Sequence, residues 1–282
     1  MKKLIFNILI LTALISSCTE RIDIELDDTY TRLVVYGNIT TDTARHYIDL
    51  SSTSSYYYNE APPPVTGANL TISDDQGNQV VLSEVIPGRY ATPSDYYAVV
   101  GRTYTLDINL AEEINGYKHY TAASTVSPIN PIDSIGLIYH PDWGEYGYYE
   151  VTCYYQDPPT TDYYMFNIFK NGVLLTDTIN KVFVSSDEFY NGSYTNGIGV
   201  GYLDQGKPYE VVNPGDTITF QGGRISENYY NFVVALQQAT GFQTPLFSGP
   251  PANVKGNLTD GAVGYFAAYS VAYASTVTGV ER

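Results

Sequence analysis

Cysteine, histidine and carboxylate side chains are the groups in this sequence that could support covalent, metal or acid–base chemistry, and one of them sits in a pattern that specifies a reaction. Cys18 closes the run Leu14-Ile15-Ser16-Ser17-Cys18, behind Lys2, Lys3 and a twelve-residue, mostly apolar stretch at 4–15. A basic start, a short apolar run and small residues before a cut describe a secretory signal peptide. As a helix, twelve residues rise about 18 Å, well short of the roughly 30 Å hydrocarbon core, so the stretch reads as a leader rather than a span. A thiol directly after two serines has the form of a bacterial lipobox, in which that cysteine is diacylated and becomes the mature N-terminus. The expected leader is therefore 1–17, and Cys18 is the expected lipidation residue.

The remaining reactive groups lack such a pattern. Cys153, in Glu150-Val151-Thr152-Cys153-Tyr154-Tyr155, reads as a small buried hydrophobe on an alternating strand. His46, His119 and His140 stand too far apart for metal-ligand spacing and read as polar groups on strands. Asp74-Asp75-Gln76-Gly77-Asn78 lacks the twelve-residue pattern and terminal Glu of an EF-hand and reads as a hairpin turn. Asp157-Pro158-Pro159-Thr160-Thr161-Asp162 reads as a plain loop. Carboxylates are too abundant for paired acid/base catalysis to be argued from their presence. No nucleophile elbow, P-loop, zincin or dinucleotide fingerprint occurs. No catalytic residue, metal or cofactor is expected, and the chain reads as a non-enzyme.

Tyrosine is the other chemical signal. It occurs 29 times, against 14 lysines and arginines together. Adjacent strand residues face opposite sides, so clusters such as Tyr56-Tyr57-Tyr58, Tyr96-Tyr97, Tyr146 with Tyr148-Tyr149, and Tyr163-Tyr164 cannot all point inward. Exposed tyrosine supplies contact area at low entropic cost together with a hydroxyl. Tyr56, Tyr57, Tyr58, Tyr148 and Tyr149 are the candidate binding aromatics, for a ligand the sequence does not name.

The elements that must hold these groups read as strands. Val, Ile, Thr and Tyr favour pleated surfaces, with Gly, Pro, Asn and Asp in the turns. Strand signals occupy 32–39, 46–50, 68–73, 79–83, 89–92, 103–110 and 117–126, a spacing that predicts an immunoglobulin- or transthyretin-like sandwich. Ser127-Pro128-Ile129-Asn130-Pro131 marks the expected boundary. Beyond it come strands at 132–140, 146–156 and 163–170, an Asn171-Gly172 hairpin into 173–179, long loops with short strands over 183–209, and a strand at 217–221. Ser226 caps a helix near 226–240 that Gly241 ends, with Tyr229, Phe232, Val233, Leu236 and Thr240 at helical spacing. A strand at 263–274 places Tyr265, Ala267, Tyr269, Val271 and Tyr273 on one face. The expected organisation is thus a leader at 1–17, an acylated tether at 18–29, a β-sandwich at 30–127 and a second β-rich domain with one helix at 128–282: all-β with one helix. The net charge of −16 repels phosphate backbones and rules out nucleic acid as an expected partner. It also opposes adsorption to anionic lipid, so attachment would rest on acyl chains, at roughly 0.8 kcal/mol per buried methylene.

Several segments together resemble a known family. They are Leu33-Val34-Val35-Tyr36-Gly37-Asn38-Ile39, Ala68-Asn69-Leu70-Thr71-Ile72-Ser73-Asp74-Asp75 with Gly77, Gly88-Arg89-Tyr90, Gly101-Arg102-Thr103-Tyr104-Thr105-Leu106, Pro131-Ile132-Asp133-Ser134-Ile135, Pro251-Ala252-Asn253-Val254-Lys255-Gly256-Asn257-Leu258 and Gly264-Tyr265-Phe266-Ala267-Ala268-Tyr269-Ser270. In this order behind Cys18 they resemble the Bacteroidetes lipoproteins grouped as domain of unknown function family 4249. The resemblance implies an outer-membrane lipoprotein, often encoded beside a TonB-dependent transporter, and carries over no activity and no binding residue. The expectation is a lipid-anchored protein of the outer membrane, on the cell surface, serving as accessory or substrate-capturing partner of such a barrel. An independent glycan- or host-binding adhesin is the alternative.

Overall fold

Alternating burial organises the chain. In β1 (Leu33–Thr40), Leu33, Val35 and Ile39 are fully buried while Tyr36 is exposed, the period-two pattern of a strand covered on one face. The computed structural model describes residues 31–54, 61–241 and 254–279; Cys18, the leader, the tether and Tyr56, Tyr57 and Tyr58 lie outside the described residues. The molecule is all-β with one helix.

The first half supplies β2 (Tyr47–Ser52), β3 (Asn69–Asp74), β4 (Gln79–Val81), β5 (Ser83–Ile86), β6 (Arg89–Ala91), β7 (Thr103–Ile114) and β8 (Tyr117–Thr125). The hairpin at Asp74–Asn78 forms as expected, with Gly77 at φ 86°. Strands β4-β3-β7-β8 form one sheet. It encloses a core with the β1 sheet, in which Leu70, Ile72, Leu106 and Ile108 meet Leu33, Val35, Ile39 and Ile48.

The second half contributes β9 (Ser134–His140), β10 (Tyr148–Gln156), β11 (Tyr163–Lys170), β12 (Val173–Leu174), β13 (Phe183–Ser186), β14 (Tyr194–Asp204), β15 (Thr217–Ile225), α1 (Glu227–Thr240) and β16 (Val263–Val277). Strands β14-β10-β9 form a separate sheet. The others join a nine-stranded sheet in the order β12-β11-β15-β16-β1-β2-β6-β5, with β13 also on β11. A second core lies between these two sheets, holding Val151, Cys153, Phe166, Val200, Ile218 and Phe220.

Strand β16 belongs to both halves. Its first part pairs in parallel with β1, from Val34↔Val263 to Thr40↔Tyr269, and its remainder pairs antiparallel with β15. Phe266 and Ala268 enter the first core and Ala274 packs against the second. The same face of one long sheet is therefore covered in succession by the two smaller sheets. Ser127–Pro131 links two cores, and β16 makes them share a sheet.

The glycines and Asn257 of the resemblance segments have a structural reason. Gly264 sits at φ 104° directly against the Val35 carbonyl, a place no Cβ can occupy. The backbone at Gly256 closes on Gly264 in the same way. Asn257 accepts from the Phe266 N–H at 3.0 Å and donates to the carbonyls of Phe266 at 2.8 Å and Ala123 at 3.0 Å, tying β16 to β8.

On the opposite face of the long sheet lies α1. Ser226 Oγ accepts from the Tyr229 N–H at 3.2 Å, and the Gly241 N–H closes the last turn on Gln237, the capping expected from sequence. Tyr229, Phe232 and Val233 bury against Tyr265, Ala267 and Tyr269 of β16.

Two expectations need correction. The strand expected at 173–179 ends at Leu174, because the chain turns away after its pairing with Lys170 and Phe169. The stretch at 183–209, expected as long loops with short strands, contains the eleven-residue β14. Its glycines mark close packing rather than turns: a Cβ at Gly197 would stand 2.8 Å from the Tyr154 hydroxyl, and Gly199 and Gly201 lie against Glu150 and Ile168.

Candidate functional site

The three-stranded sheet β9–β10–β14 has one face on the second core and the other uncovered among the described residues. Along β10 the inward set is Val151, Cys153 and Tyr155, so Tyr148, Glu150, Thr152 and Tyr154 point outward. Pairing of Tyr148 with His140 and Asp204, and of Glu150 with Ile138 and Tyr202, sets His140, Ile138, Tyr202 and Asp204 on that same outer face.

Trp143, the single tryptophan, arrives from the β9–β10 turn. It lies flat on His140, with ring centroids 3.8 Å apart and planes 5° from parallel, and 5.8 Å from the Tyr202 ring. His140 is held beneath it by Glu150, Nε2 to Oε2 at 2.8 Å. The platform is thus braced from below while Trp143 and Tyr202 stay 42% and 46% exposed. Tyr148 donates its hydroxyl to Asp204 Oδ2 at 3.0 Å. That bond, with burial adding to it, raises the tyrosine above its ordinary pKa. Gly206 N–H and the same Tyr148 hydroxyl hold Asp204 below the usual carboxylate range against desolvation. Lys207 lies 3.8 Å from Asp204 and 3.4 Å from Glu210. At the β14 edge, Tyr148, Tyr202, Lys181, Lys207 and Glu210 line a recess of about 210 Å³.

Glycine shapes the floor. A Cβ at Gly136 would stand 2.8 Å from Thr152 Oγ1, so the small residues let the rings of Tyr154 and Tyr202 lie close to the sheet. The Thr152 hydroxyl is buried there without a hydrogen-bond partner. Flat rings beside ionised carboxylates make a surface suited to ligands with apolar faces and hydroxyl donors.

Of the residues predicted from sequence, Tyr148 lies on this face. Tyr149 packs the other way, its ring 4.9 Å from that of Tyr139, beside the second core. Cys18 and Tyr56, Tyr57 and Tyr58 lie outside the described residues. In the other tyrosine clusters, Tyr97 is exposed while Tyr96 meets His46 edge-on at 6.0 Å, and Tyr164 is buried while Tyr163 contacts Tyr230 of α1.

The remaining reactive groups keep structural positions. Cys153 is 1% exposed, its thiol pushed up to about 12 by burial, which makes it a poor nucleophile. His46 is buried between Thr40 N–H and the Asp42 carbonyl, and its burial lowers its pKa. His119 pairs with Asp107 at 2.6 Å on a distant strand pair. Sequence reasoning missed Trp143, His140, Glu150 and Tyr202, because strand register brings them together. A lone tryptophan in the Pro141-Asp142-Trp143-Gly144 turn was the available signal.

A family model described as "Domain of unknown function (DUF4249)" matches residues 19–275. The chain belongs to that family. In this DUF4249 chain the matched span includes both cores, α1 and every residue of the aromatic face. No curated protein matches the chain.

Proposed function

We propose that this DUF4249 chain is a lipid-anchored outer-membrane protein that captures a neutral, hydroxyl-rich ligand of the glycan class on its outer β9–β10–β14 face and presents it to a TonB-dependent transporter. The observation that carries the capture role is Trp143, flat on His140 at 3.8 Å yet open to solvent beside Tyr202. A ring already braced by protein loses little freedom when a sugar stacks on it, and Glu150 and Asp204 accept hydroxyl protons alongside. The net charge of −16 disfavours anionic ligands. The leader at 1–17 followed by Cys18 supports the anchor. Among the described residues no helix is long and apolar enough to cross a membrane; in this reading the attachment is through acyl chains on Cys18.

The capture role is tested on a glycan array with the chain from Thr19 onward, free of the leader and of Cys18. Wild-type protein binds a defined set of neutral glycans. Trp143→Ala weakens that binding at least about tenfold, the loss of one aromatic anchor, while Tyr117→Ala on the distant β8 leaves it unchanged. No bound glycan, or equal binding by Trp143→Ala, contradicts the reading.

A further inference from the structure

At the far end of β10 from the aromatic face, three acids converge inside the protein. Asp157, Asp162 and Asp187 are 1%, 2% and 0% exposed, and each brings a carboxylate oxygen within 4.8 Å of the others. They come from three places in the chain: the end of β10, the residue before β11 and the residue after β13. Buried carboxylates are retained when something positive satisfies them. Among the described residues Arg224, at 14% side-chain exposure, is the cation that pairs with this group, through Asp162. One guanidinium therefore faces three carboxyl groups.

The oxygens are only partly engaged. Asp157 Oδ1 accepts from the hydroxyls of Tyr164 at 2.8 Å and Tyr155 at 3.4 Å, and its Oδ2 accepts from Gly192 N–H at 3.0 Å. Asp162 Oδ2 accepts from Thr160 at 3.0 Å. Asp187 Oδ2 accepts from the Asp162 N–H at 2.8 Å, whereas Asp187 Oδ1 has no hydrogen-bond partner. An unpartnered oxygen on a fully buried carboxylate, in a group of three acids that one guanidinium pairs with, calls for a further cation.

We propose that Asp157, Asp162 and Asp187 bind one calcium ion, which clamps the 157–162 loop and the 187–193 loop to the end of the β10–β11 core. All-oxygen donors without His or Cys select a hard cation. Calcium–oxygen bonds of about 2.3–2.6 Å place opposite ligands roughly 5 Å apart, and the three oxygens, all within 4.8 Å of one another, fit around one such ion. Magnesium, which usually keeps several of its waters and takes one or two carboxylates, suits three converging carboxylates less well. Each carboxylate oxygen that already accepts one hydrogen bond keeps a lone pair for metal. Desolvation also raises Asp162 and Asp187 above the ordinary carboxylate range, so the competing way to relieve the charge is a proton.

The test is thermal unfolding of the full chain, purified in mild detergent and stripped with EDTA, at pH 7. Millimolar calcium should raise Tm saturably by about 5 °C or more, with a smaller shift from magnesium. Asp187→Asn should raise the Tm of the stripped protein, by removing a buried charge, and abolish the calcium response. Terbium bound to wild-type protein should luminesce through Tyr155 and Tyr164 and be displaced by calcium, a readout that holds if the variant fails to fold. The proposal is overturned by a Tm indifferent to calcium that rises on mild acidification, by equal shifts from magnesium, by an undiminished calcium response in Asp187→Asn, or by terbium that gives no tyrosine-sensitised signal.

Discussion

Asp74 in the β3–β4 turn accepts from Gln76 N–H at 3.1 Å and Asn78 N–H at 2.8 Å, and pairs with Arg102 at 2.7 Å. Desolvation opposes its charge, but the hydrogen bonds from Asn78, Arg102 and Gln76 outweigh that and bring it down to about 2 from 3.8. A depressed acid stabilises the fold above its unfolded value, and that contribution is lost as the pH falls through its folded one. Asp74→Ala should therefore cost about 1 kcal/mol at pH 7, with the gap to wild type closing between about pH 4 and pH 2. Urea midpoints at pH 7 and pH 2 measure it; an equal gap at both would separate the turn from the carboxylate's charge. This is the residue read from sequence as hairpin chemistry, and its hydrogen bonds from Gln76 and Asn78 close that hairpin.

Elements fixed by neighbours in sequence were legible. The Gly77 turn, the Asn171-Gly172 hairpin at φ 50° and 80° and the capped helix at Glu227–Thr240 all follow from local rules. Elements fixed by distant partners were not. Nothing local says that β16 runs parallel to β1, more than 220 positions away, or that the glycines of β14 receive Tyr154 and Glu150. The aromatic face was half-legible for the same reason: Tyr148 stood in a visible cluster, whereas Tyr202 joins it through the register of β14 and Trp143 by stacking from the β9–β10 turn onto His140. The buried acids were read as a loop because Asp187 lies 25 positions from Asp162. Gly264 tests the shared strand. A methyl there meets the Val35 carbonyl at a backbone angle of φ 104°, so Gly264→Ala should destabilise by about 3 kcal/mol or more. Gly279→Ala, where a Cβ meets nothing within 4 Å, should be near neutral. Equilibrium unfolding of the two variants decides it, and equal stabilities would remove the close approach from the account.

At the scale of the molecule, one nine-stranded sheet carries two smaller sheets on one face and a helix on the other. The aromatic face and the acid cluster sit at opposite ends of β10, about 25–30 Å apart along the strand, so the proposed ligand capture and the proposed cation clamp should be separable by mutation. In the proposed function the β body supplies the surface, and acylated Cys18 supplies the place where that surface works. Affinity purification of the full, tagged chain from outer membranes in mild detergent tests the central claim most directly. The account predicts a barrel of the TonB-dependent class in near-equal amount, lost when Cys18→Ala releases the chain from the membrane. Membranes that yield the lipid-anchored chain alone, preparation after preparation and after crosslinking, would contradict it.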